Sequence, residues 1–265
     1  MATDSAIAEA ASPAFSDAGR RRVVWSLAYG ALLAAAMCAA TAALAGLGHR
    51  WGWWDYRTGL VILVLAAGGA ALAIAAAAVA AFLGLRRGRR KTLFVALAAL
   101  VIGGLTTAPV IHALLQARKL PPIHDISTDT EDPPRFAAVL ALRRDAPNPS
   151  DYGGPEVARQ QRQFYPDILP LEVALGPDAA FARARDGARA LGWEIVAAEP
   201  AEGRIEATAT TLWFGFKDDV VIRIRPAAGG SRIDVRSVSR VGRSDLGANA
   251  GRIVRYLAVL GGRAD

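Results

Sequence analysis

Three long apolar runs near the N-terminus constrain this chain more than any other part of its sequence: residues 23–47, 58–85 and 92–117. None of them contains a lysine, an arginine, an aspartate or a glutamate. Each is longer than the roughly 20 residues that cross the hydrocarbon core of a bilayer. The runs predict three transmembrane helices, over about residues 23–47, 60–85 and 92–115. We predict that residues 1–22 form a disordered cytoplasmic tail and that residues 120–265 form one soluble domain.

The charges that flank the apolar runs predict their orientation. Three arginines, Arg20 to Arg22, precede the first run, and five cationic residues separate the second run from the third. The loop between the first two runs carries only Arg50 and Arg57. By the positive-inside rule, the N-terminus is then cytoplasmic and the C-terminal domain lies on the outer side of the membrane.

A cleaved signal peptide is the alternative interpretation of the first run, because Arg21 and Arg22 are a twin-arginine pair. The apolar part of a signal peptide has about 7–15 residues, whereas this run has 25. A loop with Trp51, Trp53 and Trp54 follows it, as expected beside a membrane-spanning helix. The sequence therefore favours a helix that stays in the membrane.

Small residues are frequent in the three runs, which include the pairs Gly68-Gly69 and Gly103-Gly104. Small side chains allow neighbouring helices to approach closely. The composition predicts either a compact bundle or self-association of the chain into a homo-oligomer.

The net charge of +7 raises the question of nucleic-acid binding. From Leu120 onward, however, 19 lysines and arginines face 20 aspartates and glutamates. The basic excess therefore lies beside the apolar runs, and we expect no nucleic-acid partner. The chain has one cysteine, Cys38, and His124 is the one histidine after Leu120. These residues form neither a disulfide nor a zinc site, and we expect no cofactor.

Residues 120–265 have the pattern of a mixed domain of helices and strands. Val220, Ile222 and Ile224 alternate with more polar neighbours, which indicates a sheet with one buried face. A helix is predicted after Gly176-Pro177, and another from about Leu246 with Ser244 or Asp245 as its cap. A short helix is predicted near residues 156–163, and strands over residues 136–142, 193–198, 205–214, 219–225 and 232–240. The expected architecture is an α-helical membrane bundle followed by an α+β domain, in which an antiparallel sheet has helices on one face.

The acidic segment of residues 124–132 has some features of a calcium-binding loop, since Asp125, Ser127, Asp129 and Glu131 alternate along it. Thr130 occupies the position that requires glycine in such a loop, and the closing glutamate is missing. Turn formation by the aspartate side chains is the favoured interpretation.

Two polar segments, residues 213–220 and 236–249, contain the candidate site. The second segment joins the end of a strand to the start of a helix. The free N–H groups of that helix, together with Arg236, Arg240 and Arg243, can hold a phosphate or a carboxylate. The alternative interpretation is a structural network in which nearby aspartates neutralise these arginines.

Aromatic residues in the first segment allow the same two interpretations, because Trp213 and Phe216 either line an apolar ligand pocket or belong to the core. The candidate ligand-binding residues of both segments are Trp213, Phe216, Asp218, Asp219, Arg236, Ser239, Arg240, Arg243, Ser244, Asp245 and Asn249.

Both polar segments, in this order, resemble a bacterial and plastid family known as domain of unknown function 1499. The resemblance covers about residues 123–260. It implies a membrane-tethered or envelope-associated domain without an established activity. Many family members begin with a segment that contains a cysteine, but residues 124–132 of this chain contain none. A role for that cysteine therefore does not carry over.

These observations together predict a multi-pass protein of the bacterial inner membrane with a periplasmic domain. We expect that domain to bind a partner protein, an anionic lipid or another component of the envelope. The alternative is a hydrolase of envelope substrates that uses Ser239 or Ser244 with Asp218 or Asp245. Gly-x-Ser-x-Gly is absent and His124 lies far upstream of these serines, so the sequence favours a protein that is not an enzyme.

Overall fold

The computed structural model describes residues 17–262. The chain forms two compact units, Met1–Ile111 and His112–Asp265. Helix α1 (Asp17–Arg50), helix α2 (Tyr56–Arg86) and most of helix α3 (Arg90–Lys119) belong to the first unit. Each of the three is long and apolar enough to span a membrane, which confirms the prediction of three membrane-length helices.

Helix α1 begins earlier than the apolar pattern predicts. Residues 17–22, predicted as the end of a disordered tail, are helical. Arginine is a good helix former, so the helix continues beyond the apolar run through its three flanking arginines. The rest of the predicted tail, residues 1–16, lies outside the described residues.

Small side chains form the contacts between the three helices. Two clusters of buried alanines join them: Ala31, Ala35, Ala73, Ala77 and Ala99, and then Ala28, Ala80 and Ala96. Large apolar side chains such as Leu33, Leu72 and Phe94 are exposed instead. The alanine-rich composition therefore produces a compact bundle within one chain. Self-association of that bundle stays a prediction.

The second unit contains one antiparallel sheet of six strands. The strands are β1 (Asp125–Ser127), β2 (Leu171–Val173), β3 (Glu194–Glu199), β4 (Arg204–Thr210), β5 (Lys217–Ala227) and β6 (Gly230–Ser239). Their order is β1-β6-β5-β4-β3, and β2 also pairs with β6. The four longest strands correspond to predicted ones, but β4 ends at Thr210, whereas the strand predicted for residues 205–214 extends into the following turn. β1 and β2 have three residues each, which is too short to show a periodic pattern.

Two helices cover one face of this sheet. The α-helices of the second unit are α4 (Gly154–Phe164), α5 (Pro177–Ala190) and α6 (Ala248–Leu260). Phe181 of α5 and Tyr256 of α6 share the main core with Ile205, Val220 and Ile233 of the sheet. This arrangement confirms the predicted α+β class with an antiparallel sheet and helices on one face.

The opposite face is covered by a 3-10 helix, Ala138–Arg143. The strand predicted for residues 136–142 is therefore wrong. Phe136 and Val139 pack against Val221 and Val238 of the sheet. Phe136 lies two residues before the helix and Val139 lies inside it. The backbone N–H groups of residues 137–139 bond to the Glu206 side chain, so this segment does not pair as a strand.

Candidate functional site

We call the face of the sheet opposite α5 and α6 the polar face; its residues include Thr208, Asp219, Arg223, Asp234 and Arg236. On this face, Asp219 connects three side chains. The Asp219 carboxylate accepts hydrogen bonds from Arg240 Nη2 at 2.8 Å, Arg143 Nη1 at 3.1 Å and Thr208 Oγ1 at 2.9 Å. Asp219 is fully buried. Burial lowers the pKa of Arg143, and the charge of Asp219 acts in the opposite direction. Arg240 is thus held inside a structural network.

Arg236 is also fully paired on the polar face. It donates two hydrogen bonds to Asp125, from Nε at 2.9 Å and from Nη2 at 2.7 Å. Its guanidinium also lies 5.1 Å from the ring of Phe136 and 5.4 Å from the ring of Tyr152. Asp125 is therefore the partner of Arg236, a carboxylate that the sequence interpretation assigned to the acidic turn.

Asn249 organises a second network on the α6 side of the sheet. Its Nδ2 donates to Ser239 Oγ at 2.9 Å and to the carbonyl of His124 at 3.0 Å. Its Oδ1 accepts from Ser237 Oγ at 2.6 Å. Arg252 also donates to Asn249 and, through its other Nη, to Asp218. Asp218 therefore neutralises Arg252 rather than one of the three predicted arginines.

Asp245 binds the backbone at the start of α6. Its carboxylate accepts from the N–H of Asn249 at 2.7 Å and from the N–H of Gly247 at 2.9 Å. Burial raises the pKa of Asp245 above its usual value, although these two N–H groups oppose the rise. The N-cap of α6 is Gly247 rather than the predicted Ser244 or Asp245, and Asp245 binds the first turn from further upstream. The Arg243 side chain is exposed.

The aromatic candidates lie in the turn between β4 and β5. The ring of Phe214 stacks on Phe216 at 5.1 Å and makes an edge contact with Trp213 at 5.1 Å. Thr211 closes this turn, because its hydroxyl accepts from the N–H of Phe216 at 2.9 Å. The aromatic residues thus form one local cluster at the end of the hairpin.

The predicted site residues are distributed over both faces of the sheet. Asp219, Arg236 and Arg240 lie on the polar face, whereas Asp218, Ser239 and Asn249 lie beside α6. Ser239 is buried, and within residues 17–262 its hydroxyl bonds to no histidine ring. Among those same residues, no group of three metal-binding side chains is close enough to hold an ion.

The acidic segment forms a turn, as its favoured interpretation expects. Asp129 Oδ1 accepts from the N–H groups of Glu131 at 3.1 Å and Asp132 at 2.9 Å. Asp129 Oδ2 lies 2.8 Å from Arg232 Nη2. Burial alone would raise the pKa of Asp129, but the two N–H groups, Arg232 and Arg223 outweigh it and lower the pKa.

A cavity of about 470 Å³ lies at the start of α6, between that helix, the end of β4 and the residues after α5. We call it the α6 cavity. Its lining includes Arg252, Arg255, Thr210, Trp193 and Gly247. Leu246, Gly247 and Ala248 belong to the second polar segment, but the other lining residues lie outside both segments, and the cavity was not predicted from the sequence. Arg252 and Arg255 gave only a weak indication of this cavity, since two arginines on one helix usually face solvent.

The electrostatics of the α6 cavity favour an anion. Arg252 is engaged with Asp218, but Arg255 is exposed, and no aspartate or glutamate of the described chain forms an ion pair with it. Among residues 17–262, no carboxylate lines the cavity. Trp193, which stacks on Tyr256 at 4.9 Å, adds an aromatic surface. The arrangement can hold a phosphate or carboxylate group next to an apolar group.

Comparison with known proteins gives one family for this domain. The family model described as "Protein of unknown function (DUF1499)" matches residues 125–260, from the start of β1 to the end of α6. Neither a curated protein nor a solved structure matches the chain. The matched region is more than half of the 265 residues and contains both networks and the α6 cavity. The chain therefore belongs to the DUF1499 family of proteins of unknown function.

Proposed function

We propose that this protein is a membrane-anchored binding protein whose α+β domain holds an anionic ligand in the α6 cavity. The observation that supports the proposal is Arg255 in the lining of that cavity, since it is exposed and pairs with no carboxylate of the described residues, whereas Arg252 pairs with Asp218. Positive charge in a concave surface attracts anions. The ligand class is an anionic lipid or another envelope component with a phosphate or carboxylate group.

The proposed binding site is not the one that the sequence predicts. Arg236 and Arg240 each have a carboxylate partner within 3 Å, so an anion would have to displace Asp125 or Asp219. Leaving such a buried carboxylate unpaired is costly. Arg255 requires no displacement, because it is exposed and has no carboxylate partner in residues 17–262.

Titration calorimetry of the full-length, detergent-solubilised protein with inorganic phosphate and with citrate tests this proposal. Replacing Arg255→Gln should weaken binding about tenfold, because a hydrogen bond to a charged group contributes about 1.5–3 kcal/mol. Arg159→Gln is the matched control, since Arg159 is an exposed arginine of α4 that does not line the cavity. Equal affinities for both variants, or no binding of either anion, would contradict the proposal and direct attention to a partner protein.

We further propose that the protein lies in the bacterial inner membrane with a cytoplasmic N-terminus and a periplasmic domain. The distribution of arginine and lysine around the three apolar helices supports this orientation. Alkaline phosphatase fused after Asp265 should be active, while a fusion after Arg89, between α2 and α3, should be inactive. An inactive fusion after Asp265 together with an active fusion after Arg89 would show that the protein has the opposite orientation.

A further inference from the structure

The helical unit contains a second cavity, of about 620 Å³, at the end where α1 begins. We call it the basic cavity. Four cationic side chains line it: Arg22 of α1, Arg89 of the loop after α2, and Arg90 and Lys91 of α3. In the part of the chain that the structure describes, its lining contains no aspartate or glutamate. The positive charges of Arg22, Arg90 and Lys91 around one cavity favour an anion with more than one charged oxygen.

The start of α3 adds to this positive potential. Helix α3 has 30 residues and begins at Arg90. Arg90, Lys91 and Thr92, which form its first turn, all line the basic cavity. The first N–H groups of a helix have no partner within the helix, and the positive end of its dipole lies there. Backbone and side chains of α3 therefore favour the same kind of ligand.

Apolar side chains continue from the basic cavity along α3. Phe94, Val101 and Leu105 lie on the same side of the helix as Lys91, because their separations follow the helical period. Their exposed fractions are 72%, 53% and 72%. Trp25 lines the cavity and makes an edge contact with the ring of Tyr29 at 4.6 Å. Aromatic rings of this kind are typical of the membrane–water interface.

We propose that the basic cavity binds one anionic membrane phospholipid. The cationic side chains hold the phosphodiester, and the acyl chains lie along Phe94, Val101 and Leu105. Cation pairing with phosphate is common to a lipid headgroup and to a free phosphate compound. The row of exposed apolar side chains next to the cations favours the lipid, since a free phosphate compound has no acyl chains to contact these side chains. This site is distinct from the α6 cavity, and neither proposal depends on the other.

Native mass spectrometry of the full-length protein in a neutral detergent tests the assignment. The protein is titrated with phosphatidylglycerol, with phosphatidylcholine and with water-soluble glycerol phosphate. We expect phosphatidylglycerol to bind at one lipid per chain and about tenfold or more tightly than phosphatidylcholine. Glycerol phosphate at the same concentration should not displace it.

A pair of double variants locates the site. Arg90→Gln with Lys91→Gln should weaken the binding of phosphatidylglycerol about tenfold or more and leave phosphatidylcholine unchanged. Arg118→Gln with Lys119→Gln makes the same charge change at the other end of α3 and should have no such effect. Equal loss in both double variants, or equal affinity for the two lipids, would overturn the proposal. Displacement by glycerol phosphate would assign the cavity to a soluble phosphate compound instead.

Discussion

At the scale of single residues, buried carboxylates determine what the polar face of the sheet can do. Asp219, Asp234 and Glu206 are all fully buried, and each accepts hydrogen bonds from an arginine. Glu206 also accepts from the backbone N–H groups of residues 137–139 and so holds the start of the 3-10 helix. These arginines are structural, because their charges are already neutralised.

Replacing Asp219→Asn should lower the free energy of unfolding by about 3–5 kcal/mol, because Arg143 and Arg240 lose their shared carboxylate inside the protein. The change can be measured by chemical unfolding of the detergent-solubilised protein, followed by fluorescence. Asp186→Asn is the control, since the Asp186 side chain is 62% exposed and its ion pairs should contribute less than about 1 kcal/mol. Similar losses in the two variants would mean that the polar face is not a buried network.

Tyr152 has a buried hydroxyl group that bonds to no partner among residues 17–262. Burial raises its pKa to about 12, so the phenol remains neutral in ordinary buffers. We expect Tyr152→Phe to leave the unfolding free energy unchanged or to raise it. Tyr256→Phe should lower it by about 1 kcal/mol, because the hydroxyl of Tyr256 donates to the carbonyl of Ala184 at 2.8 Å. A larger loss for Tyr152→Phe than for Tyr256→Phe would contradict this assignment.

The lowered pKa of Asp129 makes part of the stability dependent on pH. A carboxylate whose pKa is lower in the folded state stabilises that state above its unfolded pKa of about 3.9. This contribution is lost as the pH falls through the lower, folded pKa. Asp129→Asn should therefore be less stable than the wild type at pH 7, and the difference should shrink below about pH 4. Unfolding free energies measured between pH 2 and pH 7 check this, and a difference independent of pH would refute it.

At the scale of elements, the sequence predicts those whose patterns are long. The three apolar helices, α5 and the four long strands are predicted because each repeats its period several times. The 3-10 helix has six residues, and its buried side chains are those of Val139 and Arg143. So short an apolar pattern does not distinguish a 3-10 helix from the predicted strand. The conformation of this helix depends on Glu206, a residue of β4 distant in sequence. Only the folded chain brings the two together.

Gly103 and Gly104 are neighbours in α3, but they differ in how closely other atoms pack against them. A Cβ on Gly103 would lie 2.6 Å from Cγ1 of Ile74, whereas a Cβ on Gly104 would meet no atom within 4 Å. Gly103→Ala should therefore lower the free energy of unfolding by about 1–3 kcal/mol, because the added methyl group overpacks the contact with Ile74. Gly104→Ala should keep or raise it, because alanine favours the helix. Thermal unfolding in detergent that shows equal effects would contradict the close contact of α2 with α3.

At the scale of the whole molecule, the sequence predicts the three membrane-length helices and the α+β class of the second unit, but not the pairing of its polar residues. The two polar segments do carry the domain's networks, but the folded chain pairs Arg236 with Asp125 and Arg252 with Asp218. These partners are more than 30 residues apart, so sequence spacing does not reveal them. The α6 cavity also joins three segments that are separate in the chain. Arg255, the exposed cation of this cavity, therefore lies outside the predicted site.

Native mass spectrometry of the full-length protein, extracted from its own membrane, tests whether the α6 cavity holds an anionic ligand. We predict an anionic adduct that is lost in Arg255→Gln and retained in Arg159→Gln. The adduct should also persist when Arg90→Gln and Lys91→Gln remove charge from the basic cavity, because the two sites are separate. A wild-type protein without an adduct that Arg255→Gln removes would contradict the assignment of the α6 cavity as the ligand site. An adduct that persists in Arg255→Gln but is lost when Arg90→Gln and Lys91→Gln are combined belongs to the basic cavity instead.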